Sequence, residues 1–262
     1  GSRGPTTGSN EGVESDVPPV LTRTWFHTGV HTGGDGLSRY FAGLLDDHDE
    51  GEYYREPGLT DAQARSLLLP DTIVPTGLTP EEEREACRAL KGSMLRQEVY
   101  ALDGTPRSAH PYTVLEQSFG VRLEQPRGER NRHAVFCVHP VEAITYHYER
   151  NPSDPRVQHV LTLEIDAFGN VLKEAAIGYG RRRPDLTLPL EIDRRAQRMP
   201  LVTYTERSVT NAIDDVAPLP ETRRTPVPCE TRTYELTGYV PSAPGGRFGL
   251  DDLVRVTTHG LD

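Results

Sequence analysis

From Met94 onward, hydrophobic and polar positions alternate with a period of two. Leu95 to Tyr100, Thr113 to Leu123, Ala134 to Val138, Ile144 to Tyr148, Val160 to Ile165, Val171 to Tyr179, Leu201 to Thr205 and Thr231 to Thr237 are β-branched or aromatic runs bounded by turn residues. They predict a mostly antiparallel β region over 94–240. Leu161, Leu163 and Ile165 face one way and Thr162, Glu164 and Asp166 the other, which gives a sheet with one apolar and one polar face. Between the predicted strands Val160 to Ile165 and Val171 to Tyr179, Asp166 can accept a backbone hydrogen bond at the first turn position. Gly169, followed by Asn170, can take a positive φ three residues later. Asp103-Gly104 marks a second, less specific turn of the same kind. Two similar turns do not establish a repeat.

Upstream the period lengthens, and 23–93 reads as a helix-containing segment. Leu37, Phe41, Leu44 and Leu45 fall at helical spacing, and Asp61 to Leu69 predicts a short helix. Thr79-Pro80-Glu81-Glu82 is the clearest start signal, because Thr79 can cap, Pro80 suits the first turn and Glu82 can reach back to the cap amide. That helix is expected to stop at Gly92. Residues 1–22 are rich in Gly, Ser, Pro and acids and read as a tail or linker. The aromatic pair in Arg23-Thr-Trp-Phe-His27 is expected to anchor the start of the folded part, and 241–262 to form a loop and a terminal strand. Gly1-Ser2 fits a cloning remnant on a piece of a longer protein.

Charge and composition narrow the classes. The formal net charge of −10 over 262 residues gives no whole-molecule attraction for phosphate backbones or anionic lipid, so no nucleic-acid partner is expected. No apolar stretch approaches a membrane span, and no basic segment precedes an apolar one at the N-terminus. The 24 glycines and 22 prolines require extensive loops. Cys87, Cys137 and Cys229 lie too far apart for a Cys-x-x-Cys element, so neither a disulfide framework nor a structural zinc site is expected. Cys137, inside the run Ala134 to Val138, reads as a small buried hydrophobe. Lysine occurs only at Lys91 and Lys173 among 29 basic residues, a bias that says nothing about phosphate binding.

Three candidate chemistries stand beside simpler readings. His27-x-x-x-His31 followed by Asp35 has the spacing of a zinc hydrolase helix, yet Gly29, Gly33, Gly34 and Gly36 disfavour a helix there and no Glu follows His27 to act as a base. A loop whose histidines cap or stack locally is the simpler reading. His133, His139, His147 and His159 read as hydrogen-bonded structural residues, with His147 on the face opposite Tyr146 and Tyr148. Arg181, Arg182 and Arg183 end a strand as a basic triplet that could grip an acidic or phosphorylated partner, although intramolecular ion pairs are the better reading in so acidic a chain.

Several ordered strings carry a family resemblance. Arg23 to Gly29, Glu52-Tyr-Tyr-Arg55, Leu95 to Gly104, Asn131 to Phe136, Tyr146-His-Tyr-Glu-Arg150, Asp154-Pro-Arg156, Leu161 to Glu164 with Asp166 to Lys173, Tyr179-Gly-Arg181 and Arg232 to Gly238 resemble the middle region of the B component (SpvB/TcdB type) of bacterial tripartite Tc insecticidal toxins. The resemblance implies a structural, non-enzymatic piece of a far larger secreted toxin, assembled in the bacterial cytoplasm. In that family a winding sheet of Rhs (YD-type) repeats from the B and C components encloses a toxic effector. A propeller elsewhere in the B component docks on the pore-forming A component. The turn from Asp166 to Asn170 is similar to a YD-repeat turn, with Ile165 in place of the usual tyrosine. The implied architecture is a set of antiparallel hairpins of an Rhs-like shell sheet preceded by a short helical segment, with no cofactor or metal. Two alternatives stay open at this point: a metal-dependent hydrolase using His27, His31 and Asp35, and an Arg-rich binding module for an acidic partner.

Overall fold

Residues 94–178 fold into hairpins whose strands pair with their sequence neighbours, and the remaining strands extend the same meander at both ends. The computed structural model describes residues 18–31, 37, 42, 51–213 and 222–253. Its strands are β1 (Val20–Phe26), β2 (Met94–Ala101), β3 (Thr113–Gln125), β4 (Val135–His147), β5 (Arg156–Ile165), β6 (Val171–Gly178), β7 (Leu201–Val209) and β8 (Pro228–Leu236). They form one antiparallel sheet in the order β1 to β8. Helices α1 (Asp61–Leu67) and α2 (Pro80–Ala89) lie between β1 and β2, and α3 (Glu191–Ala196) lies between β6 and β7.

Two boundaries differ from the pattern reading. The predicted runs Ala134 to Val138 and Ile144 to Tyr148 are one strand, β4, which continues through Pro140. Pro140 pairs opposite Phe119 where the register with β3 shifts, and at such an irregularity a missing N–H costs little. The outer end of β4 is half-buried to exposed, so Cys137 is half-buried and not the core hydrophobe its neighbours imply. Val20–Phe26 pairs with β2 as an edge strand that begins before Arg23. The predicted helix around Leu37, Phe41, Leu44 and Leu45, and the terminal strand past Leu253, fall mostly outside the described residues, while 250–253 form a helical turn.

Helix starts follow the expected chemistry. Thr79 Oγ1 accepts the Glu82 amide and Glu82 Oε2 accepts the Thr79 amide, a complete capping box, and Thr60 with Gln63 repeats it on α1. Two α2 acids hold the β3–β4 tip: the other oxygen of Glu82, Oε1, accepts the Arg127 amide, and Glu85 accepts the Ala134 amide and contacts His133. Ala86 of α2 and Leu90, which caps its C-terminus, pack on Val121.

One face of the sheet is covered. Val114, Ile144, Tyr146 and Tyr148 pack with Leu69 and Tyr54 from the segment before β2. Leu161, Ala175, Ile177, Val202 and Tyr204 pack under Phe248 and Leu253 from the C-terminal segment. Arg247 ties these two covers together by donating to the carbonyls of Ser66, Leu67 and Leu68, the orphan acceptors at the C-terminal end of α1.

Candidate functional site: an ionic seam under the covered face

Strand β2 places Arg96, Glu98 and Tyr100 on the covered face, and the antiparallel register brings Glu116 of β3 opposite Arg96. Arg96 Nε donates to Glu98 Oε1 at 2.7 Å and its NH1 donates to Glu116 Oε2 at 2.7 Å. The side chains of Arg96 and Glu98 are 6% and 0% exposed, so these pairs escape the solvent screening that makes surface bridges weak.

Two carboxylates face one guanidinium here. The remaining carboxylate lone pairs are met by neutral donors: the Tyr54 amide and Tyr100 hydroxyl on Glu98, and the Leu69 amide on Glu116. The Tyr53 ring lies 4.6 Å from the guanidinium carbon of Arg96. Burial opposes the charge on Arg96, yet Glu116 and Glu98 outweigh it and raise its proton affinity above the ordinary arginine value. Burial and then Glu98 or Glu56 likewise push the Tyr100 and Tyr148 hydroxyls well above the usual tyrosine range.

A second pair extends the seam. Arg182 donates to both oxygens of Glu56 at 2.8 and 3.0 Å, and Tyr148 donates to Glu56 Oε1 at 2.8 Å. Arg181 donates twice to Asp154, whose other oxygen takes the Arg182 amide. Of the predicted triplet, Arg181 and Arg182 are therefore held inside the chain, and Arg183 is exposed with only its amide near Asp154.

Among the described residues, His159 is the one buried imidazole between a carboxylate and a phenol. Its Nε2 lies 3.1 Å from Glu142 Oε2 and its Nδ1 3.0 Å from Tyr179 Oη, which accepts the Phe248 amide at 2.9 Å. With that amide on the phenol oxygen, Tyr179 donates to Nδ1 and the Nε2 proton goes to Glu142. Both ring nitrogens are engaged, so neither is offered to a substrate. Burial raises the Tyr179 hydroxyl to about 12.

The remaining predicted residues do not converge. His27 is buried, with Nε2 2.9 Å from Thr72 Oγ1 and its ring edge-on to Phe119. Burial lowers its proton affinity, against the pull of Asp71. His31 lies instead beside α2, 3.8 Å from Cys87 Sγ and 3.7 Å from Glu83. Asp35 lies outside the described residues. Among the described residues no three His, Cys, Asp or Glu side chains are grouped to hold a metal, and no helix is long and apolar enough to cross a membrane.

Asp166 closes its turn by accepting the Phe168 and Asn170 amides on Oδ1 and the Asn170 side-chain amide on Oδ2, with Gly169 at φ 84°. Asp103 accepts the Thr105 amide and pairs with Arg150 at 2.8 Å, which hold its carboxyl down at about 2. Gly104 adopts positive φ beside it, but a 3-10 turn at Pro106–Ala109 lengthens this connection beyond a tight hairpin.

The sheet and its seam define a structural β protein in which buried charges fasten covering segments to a strand meander. Residues 85–219 match the protein family described as the insecticide toxin TcdB middle/C-terminal region, and the chain belongs to that family. It is similar to a TcdB2–TccC3 crystal structure at 29% identity and TM-score 0.63, with 90% of this chain and 11% of that chain covered. It is also similar to a Tc holotoxin pore of Photorhabdus luminescens carrying a TccC3 mutation, at 30% identity and TM-score 0.64 over the same shares. This chain thus spans about one-ninth of the length of those solved chains. No curated protein matches it.

Proposed function

We propose that this chain is a wall segment of a Tc toxin B component. With a C component it forms a shell that encloses the effector, and it makes or breaks no bond itself. The observation that carries this reading is the eight-stranded meander in family context, whose buried ionic groups bond to one another and to the covering segments 51–70 and 244–253. Catalysis instead needs a convergent polar cluster with free valences facing a substrate. The toxin acts outside the producing cell, its A component supplying the pore, and Asp166, Gly169, Asn170, Asp103 and Gly104 serve as turns that fix strand register.

The test uses the full parent B protein expressed with its C component. Leu161→Asp places an unpaired charge in the core and is expected to expose the effector to added protease, whereas the exposed substitution Thr231→Asp leaves it protected. An effector equally protected in both variants would contradict a wall role.

A further inference from the structure

The β6–β7 connection, residues 179–200, is unlike the rest of the surface. Leu186, Leu190, Ile192, Met199 and the adjoining Leu201 are between 56 and 77% exposed, and α3 buries none of its residues. A lone exposed leucine is ordinary, but four large apolar side chains on one connection and a fifth at the start of β7 are a concentration of the kind that marks an interface.

The root of this connection is built tightly. Arg181 N–H donates to Gln197 O at 2.7 Å, and a Cβ on Gly180 would fall 2.1 Å from Arg198 O, so only glycine admits this approach. The apolar side chains are therefore presented on a preformed element. Leu186 and Met199 line a cleft of about 520 Å³ together with Pro184, Arg194, Arg195, Arg198 and one acid, Glu191.

Charge sets the occupant's chemistry. Residues 181–198 carry six arginines against Asp185, Glu191 and Asp193, in a chain whose overall charge is −10. Arg181 and Arg182 are paired inward and Arg194 pairs with Glu191, but Arg183, Arg195 and Arg198 have no acid partner among the described residues.

We propose that this connection is a docking surface for an acidic segment of the parent polypeptide outside these 262 residues, one carrying aliphatic or aromatic side chains between its carboxylates. The cleft and patch take the apolar groups while Arg195 and Arg198 take the acids. This chain covers only 11% of the solved relatives' chains, so the parent polypeptide has ample further sequence from which such a segment can come. The inference rests on the wall reading and names what this part of the wall abuts.

The test places the photo-crosslinking residue p-benzoylphenylalanine at Ile192 of the full parent B protein, alone and with its C component, and maps crosslinks by mass spectrometry. Crosslinks are expected to an Asp/Glu-rich peptide of the same polypeptide, outside this chain, in both samples. Arg195→Glu with Arg198→Glu should cut the yield roughly tenfold, while the paired Lys variants retain most of it. Crosslinks only to the C component, or none at all, would overturn the proposal. If the effector stays protease-protected in that case, the docking inference fails while the wall reading stands.

Discussion

The covered face around β2–β5 and the β6–β7 connection handle arginine in opposite ways. Under the sheet, Arg96 is enclosed by two carboxylates and a tyrosine ring, and each carboxylate oxygen left over takes an amide or hydroxyl. On the connection, Arg195 and Arg198 stand beside exposed apolar side chains without an acid partner among the described residues. The same residue type thus fastens the chain to itself in one place and leaves charge open to a partner in the other. Burial decides which, because a pair deprived of water cannot exchange its partner for solvent.

The sharpest way to break this contrast is Arg96→Met, which leaves Glu98 and Glu116 facing each other without their cation. A loss of about 3–5 kcal/mol is expected, read as faster amide exchange at Tyr54 and Leu69 in the parent protein. Adding Glu98→Gln and Glu116→Gln should recover part of that loss.

Alkaline pH probes the same face. The folded-state affinities of Tyr54, Tyr100, Tyr146, Tyr148 and Tyr204 are raised, and burial is the largest cause each time. A raised tyrosine contributes stability that is complete below its unfolded value of about 10 and lost as pH climbs toward the folded one. Absorbance at 295 nm should therefore show these tyrosines ionising late and together with unfolding.

Strand count and fold class were legible because alternation needs only the period. The number of predicted strands agrees through two offsetting differences: the pattern splits β4 into two runs at Pro140, and it takes the apolar residues of β1, whose middle is Thr22-Arg23-Thr24, as an anchor and not as a strand. The seam was not legible. Arg96, Glu98 and Glu116 occupy the positions that alternation assigns to water, and only the segment 51–70, distant in sequence, covers them. A usable signal lay in Arg96 and Glu98 themselves, opposite charges two residues apart on one strand face. The turn at Asp166 was legible because its bonds reach no further than Asn170.

Smaller effects sharpen the contrast. Asp166→Ala removes three accepted hydrogen bonds at an exposed turn and should cost about 1–2 kcal/mol, seen as exchange confined to the β5–β6 hairpin. Among the triplet arginines, Arg182→Ala leaves Glu56 short of its cation and should cost about 1–3 kcal/mol. Arg183→Ala should stay within about 0.5 kcal/mol, since its side chain is exposed.

The most direct test is a double-mutant cycle between Arg96→Met and Glu116→Gln, read by amide exchange across β2–β5 of the parent protein. A coupling of about 1.5–3 kcal/mol is expected if the guanidinium and carboxylate act as one buried fastening. Additive losses, with no coupling between the two positions, would contradict it.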